Sequence, residues 1–172
     1  MAITLESLEG YLKKIELNYE RKENAIVLPY SGDNERILVA IELGNEGQWL
    51  RIRTIKHLDN LVAEATQEKR HALMQWMLYK NYQTKSGTWE YDPTDHDHQF
   101  TVEHWVLDND LTLAQFALMM KIVLDTVEDI AEMKKVLGLE VAVDPVEKKR
   151  QELLAQLRAL EESSSGSGST GI

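Results

Sequence analysis

Apolar residues Phe116, Met120, Val123, Val127 and Ile130 recur at spacings of four, three, four and three. That rhythm draws one continuous stripe along a helix. Thr112 and Gln115 have the Ser/Thr-x-x-Glu/Gln spacing of a capping box, and Gly138 suits the left-handed conformation that ends a helix. A single helix is therefore predicted between Leu111 and Gly138. At about 26 residues and 1.5 Å per residue it would be roughly 39 Å long, enough to lie across a sheet. So long a stripe requires an apolar surface to cover, and the preceding strands are the candidate.

Those strands read from alternation and from turn residues. A first helix runs from the cap Thr4 to about Ile15, with Leu5, Leu8, Leu12 and Ile15 on one face and Gly10 weakening it. Leu17–Arg21 and Ala25–Pro29 are short strands around Lys22-Glu23-Asn24, and Pro29 belongs at a strand end or edge. Arg36–Leu43 is apolar on both sides, as in a strand inside a sheet. Gly44-Asn45-Glu46-Gly47 is a hairpin signal. The return strand, Gln48–Lys56, sends Leu50 and Ile52 one way and Trp49, Arg51 and Arg53 the other.

His57–Gln83 reads as helix in one or two pieces, and Thr88–Tyr91 and Gln99–Leu107 as a further pair of strands. Beyond Gly138, Asp144 and Pro145 can start a terminal helix whose apolar positions are Val146, Leu153, Leu157 and Leu160. Ser163–Ile172 has linker composition and is expected to be disordered. The expected class is α+β: an antiparallel sheet of about five to six strands with helices on one face. The order is α-ββββ-α-ββ-α plus a C-terminal helix. The expected divisions are a domain over 1–138, a linker and amphipathic helix over 139–162, and a tail over 163–172.

Composition narrows the chemistry. The 172 residues include no cysteine, which removes disulfides, thiol nucleophiles and Cys-type zinc sites. With 29 acidic against 19 basic residues the net charge is −10, a field that repels nucleic acid and anionic membrane. No stretch approaches a membrane span, and Met1–Glu9 lacks a basic region followed by an apolar run. A cytoplasmic location is expected. There is no Gly-x-Ser-x-Gly elbow, P-loop or His-Glu-x-x-His, so no enzyme activity and no cofactor are expected.

Three local features carry a resemblance to a known family. They are the hairpin of Ile37–Leu43 with Trp49–Ile55, the segment "LMQWMLYKNYQTKSGTWEYD" (Leu73–Asp92) in which a helix ends in Asn81, and "VLDNDLTLAQF" (Val106–Phe116) before the long helix. In these and in the order of elements, Thr4–Leu137 resembles the YbjN family of bacterial proteins, which share the fold of type III secretion chaperones. The resemblance implies a non-catalytic α/β sandwich that binds peptides or proteins, often as a dimer. It transfers no functional residue, and Asp144–Ile172 departs from the pattern.

Candidate sites come from the residues themselves. Trp49, Arg51 and Arg53 share a strand face, which Glu103 and Trp105 join, and Glu90 too if the hairpin register agrees. Aromatics and arginine dominate interface energetics, so this row suits protein binding. The competing reading places the tryptophans in the core. His96, His98 and His104, with Asp95 and Asp97 nearby, are weak metal candidates, since imidazoles two apart on a strand share a face; the competing reading is that His96 and His98 sit at a hairpin tip, where polar residues need no further reason. Met74, Met77, Met119, Met120 and Met133 suit either an adaptable binding surface or the core, and core is favoured by their spacing. The expected function is a peptide- or protein-binding module, chaperone-like or an adaptor, which captures a partner on this face or at an open strand edge. The alternatives are an assembly protein that forms a homodimer through its C-terminal helix and, less, an enzyme or metal-binding protein using the histidine region.

Overall fold

The computed structural model describes residues 3–55, 58–106 and 111–139. Helix α1, Leu5–Lys14, opens at Thr4, whose hydroxyl accepts from the Ser7 amide while the Ser7 side chain returns the bond to the Thr4 backbone. Its Leu8 and Leu12 are fully buried. Strands β1 (Glu20–Arg21), β2 (Ala25–Ser31), β3 (Arg36–Gly44) and β4 (Trp49–Ile55) follow. The expected strand from Leu17 shortens to two residues. Between β3 and β4 the hairpin is a tight 3₁₀ turn, Asn45–Gly47, with positive φ at all three positions.

Two helices come next, α2 (Asp59–Glu64) and α3 (Gln67–Gln83), with Thr66 capping the second. The predicted helix over 57–83 is thus in two pieces, and the second runs past Asn81 to Gln83. Strands β5 (Thr88–Tyr91) and β6 (His98–Trp105) form a hairpin. The sheet order is β1-β2-β3-β4-β6-β5, and every neighbour is antiparallel. The α2–α3 connection therefore carries the chain out to the far edge, and β6 fills the gap between β5 and β4.

The last helical region corrects the single long rod. Thr112 and Gln115 do form the capping box, with the Thr112 amide donating to Gln115 Oε1 at 2.9 Å. However, α4 stops at Asp125, a 3₁₀ turn spans Thr126–Glu128, and α5 runs over Asp129–Val136. Asp125 and Asp129 keep helical φ with ψ near −22° and −23°, the values of the tighter 3₁₀ winding. At the break the Thr126 hydroxyl donates to the Val123 carbonyl at 2.6 Å. Gly138, at φ 66°, ends the region as expected.

One sheet face holds the core. Ile26, Leu28, Ile37, Val39, Ile41, Leu50, Ile52, Phe100 and Val102 are buried there. Helix α4 lies over β3, β4 and β6, α3 over β5, α1 against α4, and α5 against α3. Phe116, Met120, Val123, Val127 and Ile130, the predicted stripe, are all buried. Met77, Met119, Met120 and Met133 are buried as well, so core packing is their role. The terminal helix, the C-terminal tail, His57 and Leu107 lie outside the described residues.

Candidate protein-binding face

The opposite face of the sheet is set by register. Trp49 is level with Trp105, Arg51 with Glu103 and Arg53 with Thr101. Across the next gap Thr88 stands beside Thr101 and Glu90 beside Gln99. Side chains two apart share a face, so all six predicted residues fall on the side away from the core. The register also adds four residues that alternation on one strand does not reveal: Glu42, Gly44, Gln99 and Thr101.

A charge-assisted chain ties this row together. Arg53 donates Nε to Glu42 Oε2 at 3.2 Å and Nη2 to Glu42 Oε1 at 3.0 Å, a bidentate pair. Its Nη1 donates to Gln99 Oε1 at 2.8 Å, and Gln99 Nε2 donates in turn to Glu90 Oε2 at 2.6 Å. Arg51 Nε lies 3.6 Å from Glu42 Oε2, too long for a hydrogen bond, and its guanidinium sits 5.8 Å from the centre of the Trp49 ring. The arginines are three-quarters covered by their neighbours, at 25% and 24% side-chain exposure. The Arg53 fork is thereby held in place by three hydrogen bonds.

Trp49 is positioned by an absence. A Cβ built on Gly44 would lie 2.6 Å from Trp49 Cε3, so the indole rests across bare β3 backbone. Such a ring shields a glycine in a sheet that has no side chain of its own to offer. Trp105, at 57% exposure, stands beside it on β6. Neither ring belongs to the core, where Trp89 is the buried tryptophan, packed against Phe100 at 5.4 Å and Trp76 at 5.6 Å.

The two edges of the sheet are unequal. β1 is only two residues long. At the other edge Asn81, on α3, donates Nδ2 to the Trp89 carbonyl at 2.9 Å and accepts from the Trp89 amide at 2.6 Å on Oδ1. The amide side chain thus occupies the pair of backbone groups that an added strand would use. The expected open edge is closed at the middle of β5.

In the histidine region His96 lies, as expected, at the hairpin tip between β5 and β6, at φ 66°, stacked on Tyr91 with Nδ1 2.8 Å from the phenol oxygen. Burial, with Asp92 nearby and Arg70 opposing, holds the Tyr91 phenol above its ordinary pKa. His98 is buried on β6, facing the core side. His104 is level with Leu50, also on the core side. Among the described residues no group of three or more His, Asp or Glu side chains is arranged to hold a metal ion.

A hollow of about 420 Å³ lies at this end of the sheet, lined by Arg53, Thr54, Asp59, Asp95, His96, Asp97 and Gln99 among others. Its polar groups serve the structure. Asp95 accepts from the Asp97 amide, Asp97 from the His98 amide, and Thr54 Oγ1 from the buried Phe100 amide.

Residues 4–133 match the family YbjN, described as "Putative bacterial sensory transduction regulator". The chain belongs to the YbjN family. YbjN from E. coli has a crystal structure that matches this one at a TM-score of 0.53 and 14% identity, over 81% of this chain and 92% of that one. A protein from Methanothermobacter thermautotrophicus matches at 0.52 and 14%, over 77% and 97%. The ExsC–ExsE complex gives a looser likeness, 0.49 at 16%, over 75% and 93%. At such identities the YbjN likeness is one of fold. None of the curated proteins matches the chain. No described helix is long and apolar enough to cross a membrane.

Proposed function

We propose that this YbjN-family protein is a non-enzymatic module that binds another protein through the outer face of its sheet, carried by the domain over residues 1–138. Trp49, Arg51, Arg53, Glu90, Glu103 and Trp105 make the contact. The observation that carries this reading is the placement of Trp49 and Trp105 side by side on the face that the core does not use. Two large rings flanked by arginines form the kind of patch that dominates binding energy, because truncating such anchors leaves a desolvated pocket empty. Prior ordering of Arg53 by Glu42 and Gln99 lowers the entropy lost on association. Capture by strand addition is disfavoured, since Asn81 already fills the hydrogen-bonding positions at Trp89 and β1 is very short.

Replacing Trp49 and Trp105 together by alanine is expected to weaken capture of the native partner at least about tenfold, the effect of losing roughly 1.4 kcal/mol. The urea midpoint should move little. The comparison is affinity capture from native lysate with mass-spectrometric identification, wild type beside the double variant. Collapse of stability with normal binding by the surviving folded fraction would assign those rings to the fold and remove them from recognition.

A further inference from the structure

We propose that the outer face selects partners that present a carboxylate to Arg51, about 7 Å from an apolar side chain held by Trp49 and Trp105. This rests on the reading of that face as a contact surface and names the chemistry it recognises. The argument lies in how differently the two arginines are satisfied. Arg53 occupies both oxygens of Glu42 and also donates to Gln99. Arg51 is left with a 3.6 Å approach to Glu42 Oε2. Its Nε is buried without a hydrogen-bond partner, and among the described residues its guanidinium makes no hydrogen bond at all. Glu103, level with Arg51 on β6, is exposed and forms no ion pair with it. The guanidinium carbon lies over the Trp49 ring at 5.8 Å, a contact that steadies the charge but offers no acceptor in the plane of the fork.

A guanidinium stays protonated, so Arg51 cannot shed its charge as a lysine can. Three-quarters of the side chain is covered, and water reaches only the remainder. The group that completes it is a planar anion with two acceptor oxygens, which the fork takes by two parallel hydrogen bonds. The net charge of −10, with Glu90 and Glu103 on the same face, opposes a run of acidic residues. One carboxylate set among apolar side chains is therefore the form that fits, from an Asp or Glu side chain or from a chain terminus. Trp49 and Arg51 are two apart on β4, which puts the apolar and the anionic contact about 7 Å apart. Trp105, level with Trp49 and exposed, widens the apolar end. Arg53 has a positioning role: by engaging both oxygens of Glu42 it keeps that carboxylate from closing on Arg51.

Selection of random heptapeptides on the immobilised full chain tests this, with the pool made once with free and once with amidated C-termini. Wild type is expected to enrich a carboxylate at a fixed offset from Trp, Phe or Leu. Asp or Glu enriched in both pools identifies a side-chain source, and enrichment confined to the free pool identifies the terminus; either supports the proposal. Converting that carboxylate of a selected peptide to its amide is expected to weaken binding to wild type at least about tenfold. The same change should leave binding to Arg51→Gln unaltered. Arg51→Lys keeps the charge without the fork, so there the loss should shrink but persist. A thermal melt of each variant checks folding, and Arg51→Lys decides if Arg51→Gln fails to fold. A pool that enriches nothing, or peptides without a carboxylate preference, overturns the proposal. So does a carboxylate whose loss costs as much against the folded Arg51 variants as against wild type. Carboxylate-free peptides that Trp49→Ala with Trp105→Ala no longer binds overturn the role of Arg51 alone and leave the proposed binding face standing. Peptides that bind the double tryptophan variant as well as wild type remove both.

Discussion

Asn81 does with one side chain what a seventh strand would do. Its amide offers one donor and one acceptor at the spacing of a backbone peptide, and both are used on Trp89. Removing it in Asn81→Ala leaves two edge groups to water or to another edge. The expected cost is about 1–2 kcal/mol in urea unfolding, accompanied by increased light scattering as β5 edges pair. Lys80 makes a second cross-element anchor. It lies 2.7 Å from Asp129 and 2.9 Å from Glu132, over the Trp76 ring at 5.2 Å, and Trp76 Nε1 donates to Glu132. Hydrogen bonds from Lys80 and then Trp76 hold the Glu132 pKa below its ordinary 4.5. Burial works against the Lys80 charge, but Asp129 and Glu132 outweigh it and its pKa lies above 10.5. A depressed carboxylate contributes stability above its unfolded pKa and loses it as pH falls through the folded one. Urea midpoints of wild type should therefore fall more steeply than those of Glu132→Gln below about pH 4.5, and the two proteins should differ in stability by less than about 1 kcal/mol at neutral pH because Glu132 is half exposed. The tryptophan and arginine row was legible from alternation alone. Asn81 and Glu42 were not, because their roles depend on which strand lies beside them. Glu42 was hidden in a run that otherwise reads as buried on both sides.

At the scale of elements, threonine caps mark the starts of the three longer helices. Thr4, Thr66 and Thr112 each start a helix, and two of the three close a reciprocal box with the residue three positions on. Thr112→Ala is expected to cost about 1 kcal/mol, read as a lowered thermal midpoint with the core unchanged. The break between α4 and α5 left no trace in the pattern of apolar positions. A three-residue 3₁₀ turn rotates the stripe by about 60° relative to an unbroken helix, within the breadth of an apolar face, so Val127 and Ile130 stay buried. Its local sign is Thr126, whose hydroxyl bonds back three residues and which is itself buried. Gly44 belongs to this scale too, since it lets β3 and β4 carry a ring between them. Gly44→Ala drives a methyl into the Trp49 indole and should change tryptophan fluorescence and weaken the proposed binding, with the extended backbone at φ −123° unstrained.

For the whole molecule, the consequence is a division of labour between two sides of one sheet. The roof of α1, α3, α4 and α5 fills the inner side, and among the described residues the outer side presents aromatic and charged groups in fixed order. The class and order of elements followed from periodicity because each helix had only one apolar surface to cover. Which strands became neighbours did not follow, since β6 enters between β4 and β5 and no hairpin signal records that insertion. The turn at Asn45–Gly47 makes the division sensitive to length. Deleting one residue there would carry Leu50 and Ile52 into water and the two arginines into the core. Substitutions along the odd positions of β4 and β6 leave the roof untouched. The letters along that side can therefore be exchanged without disturbing the packing beneath, so long as their number stays fixed.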